Sequence, residues 1–264
     1  MTKPGNVWIT GAGKGIGRAL ALEYATRGWS VAASARTASD LETLAQEAAA
    51  EGLAGKVFAF PANVTHHDAM KQTFKAIEFD MGPLDHVIFN AGTSVLSDAT
   101  TFNVAPFRTL MEINFLGVVN CIAAVLPTFM SRRAGHIGVM GSVAGYNGLP
   151  LSAAYGASKA ALINMCEALK PELEVEGVGI SIINPGFVRT PLTSKNKFNM
   201  PFLLEAEEAA RIIYRGMTKG KFEIAFPFPM VAIFKGLRMA PYALFFAMTR
   251  RIIGVKKRLK GQIN

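Results

Sequence analysis

The amino-acid sequence predicts an α/β protein with a doubly wound parallel sheet in a single domain, followed by a C-terminal amphipathic helical extension. Apolar runs typical of strands alternate with helical patterns along most of the chain, which indicates parallel strands joined by crossover helices. A glycine-rich turn separates the first strand from the first helix, and no repeat or linker interrupts the pattern before residue 228. The 264 residues, of which 50% are apolar and 18% charged, fit one folded domain and exclude general disorder.

The predicted elements follow one another in a regular order. The second helix is the most clearly marked, because Ser39 is its expected N-cap, Glu42 completes a capping box and Gly52 ends it. We expect one α/β domain over residues 1–227 and a helical tail over 228–264. Strands are predicted at 6–10, 30–36, 56–64, 84–92, 135–145, 179–188 and 222–227, and helices at 16–27, 39–52, 67–82, 104–130, 153–176 and 205–220.

Residues 10–17, with the sequence TGAGKGIG, form a glycine turn between the first strand and the first helix. Glycines let the backbone turn tightly and approach a ligand, and the amino end of the helix directs free N–H groups at an anion. A strand before and a helix after are the context that a dinucleotide site requires, which makes the sheet Rossmann-like. The alternative is a turn without a ligand. The predicted cofactor contacts in this turn are Thr10, Gly11, Lys14, Gly15, Ile16 and Gly17.

Tyr155 and Lys159 form a second candidate site in the segment AAYGASKAAL. Four positions apart on a predicted helix, their side chains lie on one face, where the ammonium favours the phenolate and lowers the pKa of the tyrosine. Such a tyrosine can donate or accept a proton near neutral pH. Ser142 follows the fifth strand at the carboxyl edge of the sheet, so it can meet this pair. The alternative is ordinary: a packed tyrosine, a solvated lysine and a turn serine.

The spacing of the glycine turn, with Ser142 and the Tyr155-x-x-x-Lys159 motif, resembles the classical short-chain dehydrogenase/reductase family over roughly residues 5–227. The resemblance implies an NAD(P)H-dependent oxidoreductase that interconverts a secondary alcohol and a ketone or aldehyde by hydride transfer. Tyr155 would be the general acid and base, Lys159 would contact the nicotinamide ribose, and Asn114 would anchor a water relay to Lys159. A catalytically idle NADP(H)-binding sensor or scaffold is the alternative, although a pure binder need not keep all four catalytic residues.

The same resemblance implies further cofactor contacts. Where the family usually has an Asp-Val pair at the adenine, this chain has Asn63-Val64. The residues that match the turn after the family's fourth strand are Asn90, Ala91 and Gly92. The segment NPGFVRT is similar to the family's Pro-Gly segment, and the contacts implied there are Pro185, Gly186, Val188 and Thr190.

The end of the second strand predicts which dinucleotide is bound. An acidic residue there would favour NAD by binding the ribose 2′-hydroxyl, but the chain has Ala35 and then Arg36. Lys14 adds a second cation from the glycine turn. Two cations without a carboxylate suit a 2′-phosphate, so we predict NADP(H). The alternative is that Arg36 is a solvated charge at the end of a strand.

The tail, residues 228–264, is apolar and basic and carries much of the formal charge of +9. Pro229 and Pro241 break it, so no uninterrupted apolar stretch reaches the ~20 residues that span a bilayer. Two short amphipathic helices that end in a basic cluster predict peripheral contact with an anionic membrane. The alternatives are packing on the substrate cleft or on a second subunit, and a tail beside the cleft suggests a hydrophobic or lipid-like substrate. The cations of the tail are Lys235, Arg238, Arg250, Arg251, Lys256, Lys257, Arg258 and Lys260.

The remaining features narrow the class of protein. The chain opens without a signal-peptide pattern, which predicts a cytoplasmic protein. Cys121 and Cys166 are expected to be buried reduced thiols, and neither they nor the histidines at 66–67 have the spacing of a metal site. No module that reads bases accompanies the basic charge, which argues against nucleic-acid binding. The family resemblance implies a homodimer or homotetramer that pairs through the helices at 104–130 and 153–176.

Overall fold

The structure is a computed structural model that describes residues 4–194 and 199–253. Within these residues, seven strands form one parallel sheet in the order β3-β2-β1-β4-β5-β6-β7. The order runs outward in both directions from β1, which confirms the predicted doubly wound sheet. The strands are β1 (Asn6–Thr10), β2 (Ser30–Ser34), β3 (Val57–Ala59), β4 (His86–Phe89), β5 (His136–Met140), β6 (Gly179–Pro185) and β7 (Glu223–Phe226).

Helices connect the strands and cover both faces of the sheet. Among the described residues they are α1 (Gly15–Thr26), α2 (Ala38–Ala50), α3 (His67–Met81), α4 (Ala105–Leu110), α5 (Gly117–Arg132), α6 (Ala153–Val175), α7 (Ala206–Thr218), α8 (Phe228–Met239) and α9 (Tyr242–Ile253). A π-helical segment, Met111–Leu116, joins α4 to α5 without a break.

Two apolar clusters hold the layers together. Because side chains alternate along a strand, Ile9 packs under α1, α2 and α7, whereas its neighbour Trp8 packs under α3, α5 and α6. Strands buried on both faces explain the near-continuous apolar runs in the sequence. The cysteines, Cys121 and Cys166, are buried free thiols in the cluster that contains Trp8, as expected.

The predicted elements occur in the right order, and β1 has the predicted bounds, but the other predicted strands are too long at their carboxyl ends. The residues that follow β4 and β5 leave the sheet. The predicted strands were longer because the pattern of the sequence does not mark where the ladder of hydrogen bonds ends. The predicted cap of α2 is also wrong. The helix begins at Ala38 with Thr37 at the N-cap, and Ser39 lies inside it, where its carbonyl accepts a hydrogen bond from Thr43 Oγ1 at 2.8 Å.

The helices of the tail follow the sheet directly. Met230 and Val231 of α8 are buried against the cluster that contains α5 and α6, whereas most of α9 is exposed. The basic cluster predicted at 256–260 lies outside the described residues.

One helical stretch of the described chain, Ala105–Arg132, is long and apolar enough to cross a bilayer by length and composition. Its residues Val118, Val125 and Phe129 pack in the core under the sheet. A core helix passes the same length and composition test, so this stretch is weak support for a membrane span.

Candidate active site

The glycine turn lies at the carboxyl end of β1 and opens α1. Gly11 and Gly15 have φ angles of +67° and +56°, which glycine adopts without strain. A Cβ on Gly17 would lie 2.3 Å from the carbonyl oxygen of Gly11, so only glycine lets the helix approach the turn this closely. No side chain caps the amino end of α1, and its first turn has no acidic residue. Its N–H groups are therefore available to an anionic ligand.

A second turn, residues 90–92 after β4, is bound tightly to the glycine turn. Thr10 Oγ1 accepts the backbone N–H groups of Asn90 and Ala91 at 3.1 and 3.2 Å. In return, Asn90 Nδ2 donates to the carbonyl oxygens of Thr10 and Gly11 at 3.1 and 3.2 Å. Thr10 and Asn90 therefore hold the two predicted cofactor-binding turns against each other.

Asn114 lies fully buried in the π-helical segment and braces the helix that carries Tyr155. Its Oδ1 accepts the N–H of Thr93 at 2.8 Å, and its Nδ2 donates to Thr93 O and to Ser158 Oγ, both at 3.0 Å. A Cβ on Gly92 would lie 3.2 Å from Asn114 Oδ1 and 3.7 Å from Lys159 Nζ. The segment therefore brings together Gly92, Asn114 and Lys159. Sequence reasoning missed Ser158, although it stands inside the Tyr-x-x-x-Lys motif.

Tyr155, Ser142 and Lys159 meet where β5 ends and α6 begins. The Ser142 hydroxyl lies near the Tyr155 phenol. Ser142 Oγ donates to the carbonyl oxygen of Pro185 at 3.4 Å and accepts the N–H of Ala144 at 3.1 Å. Lys159 Nζ donates to the carbonyl oxygen of Met140 at 2.6 Å and lies 5.8 Å from the centre of the Tyr155 ring. The structure therefore brings together the three residues that the sequence placed there.

The protonation of this group differs from the sequence prediction. Burial raises the pKa of Tyr155, and the hydrogen bond from Ser142 opposes this rise without overcoming it. Burial also lowers the pKa of Lys159 to about 8. The predicted lowering of the Tyr155 pKa is wrong for this structure, because loss of solvent raises it. At neutral pH the tyrosine is a phenol and the lysine a cation.

The segment after β6 closes the site on the other side of the glycine turn. A Cβ on Gly15 would lie 3.1 Å from the side chain of Thr190, so Thr190 borders the amino end of α1. Val188 is buried and pairs with Leu204. Pro185 ends β6, and Gly186 N donates to Phe226 O at 2.7 Å, so β7 supports this segment.

The remaining predicted contacts lie at the same edge of the sheet. Ile16 is half-buried in the first turn of α1. Asn63 Oδ1 accepts the N–H of Thr65 at 3.2 Å, which shapes the turn beyond β3. Val64 is buried, and a Cβ on Gly117 would lie 2.8 Å from its Cγ2, so its side chain packs on α5. The contact of Asn63 with an adenine stays a prediction.

The corner between β2 and α2 contains a carboxylate that the sequence analysis missed. Lys14 Nζ lies 3.2 Å from Oδ2 of Asp40, in the first turn of α2. Arg36 is exposed beside it. The expectation of two cations without a carboxylate at this corner is therefore wrong, because α2 begins at Ala38 and its first turn places Asp40 beside Lys14. The sequence did contain a signal for this carboxylate, because Asp40 is an acidic residue in the first turn of the helix that follows β2.

The residues at this edge fit a dinucleotide. An uncapped helix start can receive a pyrophosphate, and glycines stand where any side chain would block close approach. At the same edge lie the half-buried phenol of Tyr155, the hydroxyl of Ser142 and the ammonium of Lys159. The arrangement can transfer a proton to or from an oxygen atom that lies next to a bound nicotinamide.

Comparison with known proteins agrees with this arrangement. The family profile described as short chain dehydrogenase matches residues 5–200. The chain belongs to the short-chain dehydrogenase/reductase family, and it is an oxidoreductase of that family with a nicotinamide cofactor.

Particular relatives share most of their length with this chain. An uncharacterized oxidoreductase of Myxococcus xanthus is 36% identical over 92% of this chain and 96% of its own. A 3-oxoacyl-acyl-carrier-protein reductase of Thermotoga maritima is 34% identical over 71% of this chain and 75% of its own. A crystal structure of a short-chain dehydrogenase/reductase from Burkholderia phymatum, in complex with NAD, has a TM-score of 0.80 at 22% identity and covers 88% of this chain and 92% of its own. That likeness concerns the fold alone.

Proposed function

We propose that this protein is an NADP(H)-preferring oxidoreductase that interconverts a hydrophobic ketone or aldehyde and its alcohol, with Tyr155 as general acid and base. The observation that carries the proposal is the half-buried Tyr155 phenol near the Ser142 hydroxyl, with the Lys159 ammonium 5.8 Å from the centre of its ring, at the same edge as the glycine turn. A bound nicotinamide would supply the hydride for reduction and accept it for oxidation.

Side chains of the protein would transfer the proton that accompanies the hydride. Because the pKa of Tyr155 is raised, its phenol is protonated at neutral pH and ready to give its proton to a carbonyl oxygen. The hydroxyl of Ser142 would hold that oxygen, and the Lys159 ammonium would stabilise the phenolate that remains. In the oxidation direction the phenolate would take the alcohol proton. Asn114 would keep Ser158 and the start of α6 in place for both directions.

Apolar residues at the mouth of the site support a hydrophobic substrate. Val95 and Leu96, in the loop after β4, and Leu192 and Phe202, in the loop after β6, are exposed at the carboxyl edge. The Thermotoga maritima relative is named for a 3-oxoacyl substrate, a ketone on an acyl chain. We therefore propose a carbonyl compound with an apolar chain as the substrate class.

A substrate panel tests this function. NADPH oxidation is measured with ketones, aldehydes and 3-oxoacyl thioesters of increasing chain length. We expect kcat/KM to rise with chain length, as each further methylene adds about 0.8 kcal/mol of burial. Tight binding of NADPH without turnover of any carbonyl would instead identify an idle sensor or scaffold.

The preference for NADP(H) is proposed from Lys14 and Arg36. Both are exposed at the corner where the ribose 2′-position of a dinucleotide lies in sheets of this kind. Asp40 takes up part of the charge of Lys14. Arg36→Asp should move the preference toward NADH, whereas Asp40→Asn should free Lys14 and strengthen the preference for NADPH. Michaelis constants for both cofactors measure this, and a wild-type preference for NADH would overturn it.

A second proposal concerns the surface of α8 and α9. We propose that it binds an anionic membrane surface, with the enzyme on the cytoplasmic side. Large apolar side chains are exposed on both helices beside cations, an arrangement that suits an interfacial helix. The apolar residues are Phe228, Ile233, Met239, Tyr242, Leu244, Phe246 and Met248, and the cations are Lys235, Arg238 and Arg250.

Vesicle binding tests the membrane proposal without removing α8, whose residues Met230 and Val231 belong to the core. Vesicles with and without anionic lipid are sedimented with wild type and with a Met239→Ser/Tyr242→Ser variant. We expect binding only to anionic vesicles and its loss in the variant. Equal sedimentation of the wild type with neutral and anionic vesicles, or of wild type and variant with anionic vesicles, would contradict the proposal.

The proposed assembly is a homodimer or homotetramer through α5 and α6. Exposed apolar side chains on these helices, Met130 and Val175, support a partner surface. Light scattering after size exclusion measures the mass, and a monomer at micromolar concentration would contradict it.

A further inference from the structure

Asn184 is a fully buried amide at the carboxyl end of β6, next to the turn that carries Ser142. Its Oδ1 accepts the backbone N–H of Ser142 at 3.1 Å. A Cβ on Gly141 would lie 2.3 Å from the same oxygen, so the chain turns directly around this amide. The position of Ser142 therefore depends on the direction in which the amide of Asn184 faces.

Glu223, the first residue of β7, sets that direction. Asn184 Nδ2 donates to Glu223 Oε1 at 3.4 Å and to the hydroxyl of Tyr146 at 3.2 Å. Tyr146 in turn donates its hydroxyl hydrogen to Glu223 Oε1 at 2.5 Å. An ionised carboxylate only accepts hydrogen bonds, so the amide must turn its NH2 group to Glu223 and its oxygen to Ser142.

Lys235 of α8 keeps Glu223 ionised. Its ammonium forms an ion pair with Glu223 Oε2 and lies 5.8 Å from the centre of the Tyr146 ring. Partial burial by itself raises the pKa of Glu223, but hydrogen bonds from Lys235, Tyr146 and Asn184 and the charge of Lys235 outweigh it, so the pKa lies below its usual value. Asn147 Nδ2 donates to the carbonyl oxygen of Phe234 at 2.7 Å, which holds α8 at this place.

We propose that Asn184, Glu223 and Lys235 are positioning residues that act through the backbone of Ser142, so that an ion pair on the C-terminal helix α8 sets the rate of catalysis. The proposal rests on the proposed function, in which Ser142 holds the carbonyl oxygen. It gives α8 a role in the reaction although none of its residues needs to touch the substrate. Loss of the carboxylate charge lets the amide turn, and the serine then no longer presents its hydroxyl to Tyr155.

Steady-state kinetics with NADPH and the best carbonyl substrate test the proposal. We expect Glu223→Gln to lower kcat about tenfold, with a smaller change in KM and no change in the Kd for NADPH, because the change affects one hydrogen bond to a charged group. Lys235→Met should lower kcat about threefold, as its ion pair is partly exposed. Lys235→Arg should restore kcat, since it returns the charge.

A matched control separates this role from general stability. Lys170 and Glu174 form an ion pair of 2.9 Å on α6 that has no hydrogen bond to the Ser142 turn. Glu174→Gln and Lys170→Met should leave kcat unchanged. If Glu223→Gln does not fold, the variant of the exposed residue Lys235 tests the proposal instead. Equal kcat for Lys235→Met and wild type would overturn it.

Variants of Ser142 distinguish a failure of this inference from a failure of the proposed function. In a Ser142→Ala background, measured in single turnovers, Glu223→Gln should cause no further loss, because its effect passes through Ser142. Losses that multiply would overturn the inference while the proposed function stands. Full turnover by Ser142→Ala itself would instead refute the catalytic role on which the inference rests.

Discussion

The two edges of the sheet both hold half-buried or buried titratable side chains, but they use them in opposite ways. At the carboxyl edge, Tyr155 and Lys159 lie next to an uncapped helix start. At the amino edge, His86 and His136 begin neighbouring strands, pair in register, and have ring centres 5.7 Å apart. Burial lowers the pKa of His86 to about 3 and that of His136 to about 4, with the neighbouring charges of His136 and Lys170, respectively, adding to the effect.

One ring nitrogen of each histidine has a hydrogen-bond partner within the protein. Tyr24 and His86 Nδ1 are hydrogen-bonded at 3.1 Å, and His136 Nε2 and Ser181 Oγ at 2.7 Å. The ring of Trp29 lies 4.6 Å from that of His86. A cavity of about 590 Å³ opens beside them, yet no helix start or glycine turn borders it. A shifted pKa next to a cavity therefore does not by itself define an active site, and the partners of the shifted group decide.

The largest expected difference between the edges comes from Tyr155→Phe. Removal of the phenolic hydroxyl takes away the proposed proton donor and leaves the ring in place. We expect kcat to fall about 10³-fold, within the usual range for general acid catalysis, with an unchanged Kd for NADPH. Turnover and fluorescence titration of the cofactor measure the two quantities. A variant with wild-type kcat would show that the carboxyl edge does not use this tyrosine.

The pH dependence of reduction provides the next largest effect. The pKa of Lys159 is about 8, and the pKa of Tyr155 is raised, so the lysine is the first of the two to lose its proton as pH rises. We expect kcat/KM for carbonyl reduction to fall above pH 8 by up to about tenfold per pH unit. Initial rates between pH 6 and 10, in buffers of constant ionic strength, measure this.

A Lys159→Met variant is the matching control for the pH profile. Its rate should be low throughout, and the descending limb near pH 8 should be absent. A flat wild-type profile up to pH 10 would contradict the assignment of the limb to Lys159.

The predictions for Tyr155→Phe and for the pH profile concern residues that the sequence already predicts to be neighbours. Motif spacing allows this because it determines which residues share a helical face or a strand end. Spacing predicted the order of the strands and helices and the meeting of Ser142 with Tyr155. It did not predict contacts between side chains far apart in the chain. Two such contacts are the ion pair of Asp40 with Lys14 and the hydrogen bond of Asn184 with Ser142. Both depend on the path of the loops between the strands and the helices.

The direction of the Tyr155 pKa shift could not be predicted from sequence for a related reason. Proximity to a cation is visible in the i and i+4 spacing, whereas the loss of solvent depends on the loops at 93–97 and 143–151, which cover the start of α6. Burial raises the pKa of Tyr155, and the interaction with Ser142 only partly offsets this. The same limit applied to His86 and His136, which the sequence shows only as single residues near strand ends.

The histidine pair predicts a loss of stability in acid. In the unfolded chain both histidines have a pKa near 6.5, whereas in the folded protein the values are about 3 and 4. Between pH 6.5 and 4 the unfolded chain therefore binds more protons, so the free energy of unfolding falls as pH falls, by at most about 1.4 kcal/mol per pH unit for each histidine. Above pH 6.5 the pair causes no such change.

Urea unfolding at pH 7, 6 and 5 measures this loss. A His86→Phe variant keeps an aromatic ring beside Trp29 and should show a shallower dependence on pH, by about half of the contribution of the pair. An identical slope in wild type and variant would mean that other groups cause the acid sensitivity.

The smallest effect is expected from Tyr24→Phe, the counterpart of Tyr155→Phe at the amino edge. Tyr24 is fully buried, and burial followed by the charge of Tyr214 raises its pKa, so like Tyr155 it is a phenol at neutral pH. Its hydroxyl contacts only a neutral histidine, and its ring packs against Trp29 with centres 5.2 Å apart. We expect the variant to lose about 1 kcal/mol of stability, the net value of one buried hydrogen bond, with kcat unchanged. Both substitutions remove one phenolic oxygen and leave the ring in place. A fall in kcat for Tyr24→Phe comparable to that of Tyr155→Phe would therefore show that the two edges do not differ as described.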